Sequence, residues 1–227
     1  MPHLTDFHVR QSEFSYLASL ESPAFDVLGT GGQLYGAIYK GLGRFRVKLG
    51  DIKQESPTLN PADLSVACYL LDRWTVIRYR LERVEVWSTN PRALGEQALA
   101  DLIEDALSVL RAASHTARVA THTLGLGVHG LLSQGTIADQ LAAYVPNAPE
   151  GIPPFRPSGV SFYCQWPEGQ GESSVVLEHS LVVQNGMFIR GTSVHQGNLP
   201  ERKAFERAAE FFQSAIMRLG LKLDWGS

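Results

Sequence analysis

The chain is short of cysteine, of net charge and of long apolar runs, and each shortage closes a class of function. Two cysteines in 227 residues make no disulfide framework. Cys68 and Cys164 lie in apolar strand-like runs, Ser65–Leu70 and Val160–Cys164, where buried free thiols are expected. Twenty basic residues against 23 acidic ones leave a formal net charge of −3, which gives no electrostatic footprint for a nucleic-acid backbone. No uncharged apolar stretch reaches the roughly 18 residues of a membrane span, and Met1–Glu13 has no apolar run fit for a signal peptide. The expectation is a cytoplasmic chain with neither a nucleic-acid nor a membrane partner.

Local catalytic signatures are also scarce. There is no Gly-x-Ser-x-Gly elbow, and neither cysteine has a neighbourhood that would activate a thiolate. The seven histidines include His115, His122 and His129 at a spacing of seven. The intervening Thr121, Thr123, Gly125 and Gly127 favour a strand, where that step puts neighbouring histidines on opposite faces. No HxxxH, HxH or paired-cysteine spacing occurs, so no metal is expected. The glycine-rich stretch Leu28–Gly41 superficially resembles a protein-kinase phosphate loop, but its glycine spacing is one residue too long, and no catalytic loop or Asp-Phe-Gly follows. As a dinucleotide fingerprint it fails as well, since Leu34–Lys40 reads as a strand where a helix should open. Glycines that allow a tight turn are the simpler account, and no cofactor is expected.

What the chain does have is a strand-rich stretch closed by an amphipathic helix, and it has that pattern twice. Leu99, Leu102, Ile103, Ala106, Leu107 and Leu110 form one apolar stripe, with Asn90 as cap and Pro91 at the first helical position. The stripe predicts a helix over about 91–113. Phe205, Ala208, Ala209, Phe212, Ala215, Ile216 and Leu219 form a second stripe, with Pro200 ahead and Gly220 where the chain leaves the helix.

Strand signals fill the rest. Phe7–Leu20 reads as strand, its later Phe14, Tyr16 and Leu17 suiting either a second strand or a short helix; Phe25–Leu28 reads as a short extended run, and Leu34–Tyr39 and Arg44–Leu49 as two strands. The last has clean alternation, with Phe45, Val47 and Leu49 against Arg44, Arg46 and Lys48. Leu64–Leu71 and Trp74–Trp87 read as a hairpin joined near Asp72–Arg73. Its second arm changes parity between Leu81 and Val84, which predicts a bulge near Glu82–Arg83. Arg118–Leu132 reads as strand, and Thr136 with Asp139 as the cap of a short helix carrying Ile137, Leu141 and Tyr144. The proline-rich Pro146–Ser158 reads as an extended connector. Val160–Trp166, Ser174–Val183 and Met187–His195 read as strands, the last two joined at Asn185–Gly186, the strongest short hairpin signal in the chain.

Short connections make neighbouring strands antiparallel, so the fold class is α+β, with mostly antiparallel sheet covered by two long amphipathic helices. Two tandem strands-then-helix units, 1–113 and 114–227, are the expected organisation. At the level of topology alone this order resembles the SecB-like chaperone fold among several α+β folds. No residue motif selects a family.

The functional expectation is a non-catalytic binding or assembly protein that engages a polypeptide partner, or a second copy of itself, through sheet surfaces. Leu221, Leu223 and Trp225 alternate with Lys222, Asp224 and Gly226 in a terminal strand, and are the candidate partner-binding residues. The alternative is an enzyme or small-molecule binder with a cleft between the halves, lined by Tyr35, His122 and Glu178. Its catalytic candidates are His122, Glu178 and His179.

Overall fold

Periodicity decides most of the fold, and where the period changes the chain turns or bends. The computed structural model describes residues 4–29, 32–56, 63–144, 157–167 and 170–226. The chain is α+β, with a large antiparallel sheet and six α-helices among the described residues. It divides into two compact units. Unit 1 holds Met1–Ser12, Gly125–Thr192 and Ala208–Ser227, and unit 2 holds Glu13–Leu124 and Ser193–Arg207.

In unit 2 the strands follow the order β2 (Ile52–Glu55), β3 (Ser65–Leu70), β4 (Thr75–Arg80), β5 (Arg83–Ser88), then segments of β1 (Thr5–Leu20), β6 (Val119–Leu132) and β9 (Met187–Gln196). The single strand expected over Trp74–Trp87 is two, β4 and β5. Ile77 pairs with Val86 and Tyr79 with Val84, so a tight reversal at Leu81–Glu82, with no bulge, switches the parity of the buried residues. An odd-numbered apolar set in one arm must face an even-numbered set in the other. The β3–β4 turn is unusual: Leu71, Asp72 and Arg73 all have positive φ, a conformation costing about 1–2 kcal/mol per non-glycine residue.

Three expected extended segments are helical. Phe25–Gly29 is α1 and Gln33–Gly41 is α2, while the alternating Arg44–Leu49 breaks into short 3-10 turns at Gly43–Phe45 and Leu49–Asp51. Leu34, Ile38 and Leu42 are buried at a spacing of four, a helical stripe that outweighs the aromatic residues suggesting a strand. Leu49 is exposed and Val47 buried, so the alternation there reflects no pleated face. The first long helix is interrupted as well. Asn90 accepts a hydrogen bond from the Ala93 N–H at the start of α3 (Pro91–Leu94), and Gly95, at φ +77°, separates it from α4 (Glu96–Ala113). Nine α4 residues, from Leu99 to Ala113, are buried, and the Tyr79 hydroxyl donates to the Ala106 carbonyl at 3.3 Å. Gly41 permits the close approach of α2 to α4, since a Cβ there would lie 2.5 Å from Val109 Cγ2.

In unit 1 the order is β10 (Leu221–Asp224), segments of β1, β6 and β9, then β8 (Gly171–His179) and β7 (Gly159–Gln165). Its core joins Phe7, Val128, Val175, Leu177, Met187 and Ile189 from the strands to Ile137 and Leu141 of α5 (Ile137–Ala142) and to Phe212 and Ile216 of α6 (Glu201–Arg218). Thr136 caps α5 as expected, its hydroxyl accepting from the Asp139 N–H while the Asp139 carboxylate accepts from the Thr136 N–H. Gly191 lies under Phe212, leaving only 2.4 Å between an added Cβ and the ring.

β8 ends at His179, short of the expected Val183. Ser180–Gly186 forms a longer connection closed by Ser180 N–H to Gly186 C=O at 2.7 Å. Asn185 takes its left-handed conformation inside that loop, so Asn-Gly marks a turn as expected, though one within a wider loop. The expected connector Pro146–Ser158 lies largely outside the described residues, as does part of the glycine-rich stretch.

Candidate functional site

His122, the one catalytic candidate placed in a core, projects from β6 in unit 2. Its Nδ1 shares a 2.8 Å hydrogen bond with the Tyr16 hydroxyl of β1, and it lies near enough to His195 of β9 to disfavour that residue's charge. All three side chains are at most 1% exposed, so none of them presents its polar atoms to a surface substrate. Burial drives His122 below its ordinary value, opposed by the peptide groups of Gly197 and Leu199 and by Glu201. Burial, then Arg207 and His122, lower His195 to about 4. The Tyr16 hydroxyl is pushed far up, by burial first and Glu201 second. The chemistry of this cluster is that of neutral polar groups holding strands in register.

The other expected residues are elsewhere. Glu178 and His179 end β8 in unit 1 and are exposed, and Tyr35 is half-buried on α2. Leu221 is fully buried, and Leu223 and Trp225 pack against the unit 1 core. Their strand pairs in parallel with β1 of the same chain, Thr5 opposite Leu221 and Phe7 opposite Leu223, and the pairing is fastened by His8 Nδ1 to Asp224 Oδ2 at 2.7 Å. Among the described residues no group of three or more His, Cys, Asp or Glu side chains is placed to hold a metal ion. No helix among them is long and apolar enough to cross a membrane.

The feature that sequence reasoning missed is β7. Among the described residues it has β8 as its only strand neighbour, so among them one side of its backbone has no strand against it. Its seven residues, Gly-Val-Ser-Phe-Tyr-Cys-Gln, include no charge and no proline. Tyr163 is 80% exposed and Phe162 37%, and Cys164 is exposed. The expectation that both cysteines are buried therefore holds for Cys68, whose thiol burial pushes up to about 12, and fails for Cys164. An apolar run reads as buried only if both its edges and both its faces are covered.

Hydrogen-bond parity tells which backbone groups are open. Trp166, just after the strand, donates its N–H to the Gly171 carbonyl at 2.9 Å, and β7 and β8 continue antiparallel with Gln165 opposite Glu172 and Gly159 opposite Glu178. Bonded and non-bonded pairs alternate in such a ladder. Val160, Phe162 and Cys164 therefore bond to β8, and Gly159, Ser161, Tyr163 and Gln165 point their N–H and C=O groups outward. Phe162 packs edge-on against Tyr144 at 5.4 Å between ring centroids, which anchors the strand from its inner face. A row of donors and acceptors with no strand partner among the described residues is a template for one more strand. The uncharged run from Gly159 to Trp166 reads equally as a buried strand, so no local signal marked it as an edge.

No protein-family profile matches the chain, and no curated protein matches it. A solved structure, the crystal structure of the di-domain ARO/CYC StfQ from the steffimycin biosynthetic pathway, aligns over 91% of this chain and 96% of that one, at 12% identity and a TM-score of 0.20. A likeness at that TM-score carries no argument about this chain.

Proposed function

We propose that this is a non-catalytic binding or assembly protein that takes up an extended polypeptide strand along β7. The observation that carries the reading is an edge strand whose outward peptide groups have no strand partner among the described residues and which carries neither lysine nor proline. Natural edge strands are blunted by lysine, proline, bulges or shortness, and β7 has none of the first two over its seven residues. In this reading the long helices α4 and α6 serve as cover for sheet faces, which leaves recognition to an edge. The backbone supplies affinity in such a mode, and alternate side chains supply selectivity.

The test is Tyr163→Pro. Proline at 163 deletes an outward N–H and leaves the bonds to β8 in place, and the extended residue before it suits the strand. Labelled, uncharged peptides of alternating apolar residues should raise their fluorescence anisotropy on the wild-type chain and not on the variant. Equal responses from the two proteins, or none from either together with no self-association sensitive to the variant, would overturn the reading.

A further inference from the structure

Resting on that reading of β7, we infer that the strand it accepts is β7 of a second copy of this chain, antiparallel, about a two-fold axis through Phe162. Charge narrows the occupants to uncharged strands, and β7 of a second copy is one that the chain itself supplies. A basic or acidic partner strand finds no countercharge on Gly159–Gln165, whereas a copy of the same strand brings no charge and meets none. Isologous pairing also fits the backbone. With Phe162 on the axis, Ser161 faces Tyr163 of the partner copy and Gly159 faces Gln165 of the partner copy, so every residue with outward peptide groups falls in a hydrogen-bonded pair. The non-bonded pairs are then Phe162 with its own symmetry mate and Val160 with Cys164 of the partner copy. These are apolar or aromatic contacts at the closer cross-strand spacing.

The register is testable because it places Cys164 opposite Val160 and well away from the other Cys164. Non-bonded antiparallel pairs have Cα atoms about 4.5 Å apart, inside the range a disulfide spans. Under mild oxidation Val160→Cys should form a covalent dimer through Cys164. The wild-type chain should not, and Val160→Cys with Cys164→Ser should not. Sedimentation of the unmodified protein should give a reversible species of twice the 24.9 kDa chain mass, lost in Tyr163→Pro.

The failures separate. A monomeric wild type that still binds the uncharged peptides in a Tyr163-dependent way overturns the second-copy inference and leaves the strand-uptake reading standing. A monomer that binds no peptide overturns both. A dimer in which Phe162→Cys crosslinks to Cys164 while Val160→Cys does not overturns the register.

Discussion

Two end strands among the described residues, β2 and β7, treat their edges in opposite ways. β2, in unit 2, has four residues, Ile-Lys-Gln-Glu, with Lys53 exposed. Glu55 is held by Arg78 at 3.0 Å and by a short hydrogen bond from the Tyr69 hydroxyl. These contacts, the Arg78 bond included, keep the Glu55 carboxyl below its ordinary range against the opposing effect of burial, so the edge stays charged at neutral pH. β7, in unit 1, is nearly twice as long and carries no charge. A short charged strand repels an approaching sheet, and a longer neutral one invites it. The contrast teaches that an edge is read from what its side chains forbid as much as from what they offer.

The largest expected effect comes from moving proline one residue along β7. Phe162→Pro deletes a donor to β8 and the ring that packs on Tyr144, and should cost about 3 kcal/mol in urea unfolding. Tyr163→Pro should cost less than about 1 kcal/mol. If the two cost the same, the hydrogen-bond parity assigned to β7 is wrong.

Acid gives a second way to set the units apart. His195 and His122, both in unit 2, have folded pKa values lowered by burial, so the unfolded chain binds the extra protons. Stability should hold above about pH 6.5, the unfolded value, and fall as pH drops toward 4. The loss for His195 is of order 2 kcal/mol by pH 5 and about 3 kcal/mol near pH 4. Amide exchange at pH 5 should lose protection around β6 and β9 of unit 2 before it does along β7 and β8. His195→Gln should flatten the pH dependence of the urea midpoint between pH 7 and 5. An unchanged slope in that variant removes His195 as the cause.

The smallest effect tests the guard itself. Lys53→Val on β2 should change stability by no more than about 0.5 kcal/mol, yet it should make the protein more prone to associate, as seen by light scattering at raised concentration. No change in scattering would mean that shortness, not charge, protects that edge.

Much of the fold was legible in the sequence, because the stripes of α4 and α6 are long enough to fix a period and the apolar runs of β3 and β6 are long enough to mark strands. Capping at Asn90 and Thr136 was readable from residue types alone. Failures came where two periods compete. Leu34, Ile38 and Leu42 form a helical stripe of only three residues, hidden among tyrosines and glycines, and the Ile77–Val86 pairing needed a reversal that parity alone could not separate from a bulge. In β1 the buried set passes from Phe7 to Ser12, Phe14, Tyr16 and Ala18, with the exposed pair Arg10 and Gln11 at the change, which is why that stretch read ambiguously. The candidate site was least legible. Leu221, Leu223 and Trp225 had the apolar alternation of a docking strand, but that pattern is the same whether the strand pairs within its own chain or with another. His122 carried the right chemistry into a buried position. Which strand ends a sheet is a property of topology, and no local pattern encodes it.

The most direct test of the account is the sedimentation mass of the wild-type chain beside that of Tyr163→Pro, both shown folded by circular dichroism. The account predicts a concentration-dependent dimer for the first and a monomer for the second at the same concentration. A monomer in both, or a dimer that survives the proline, would contradict it.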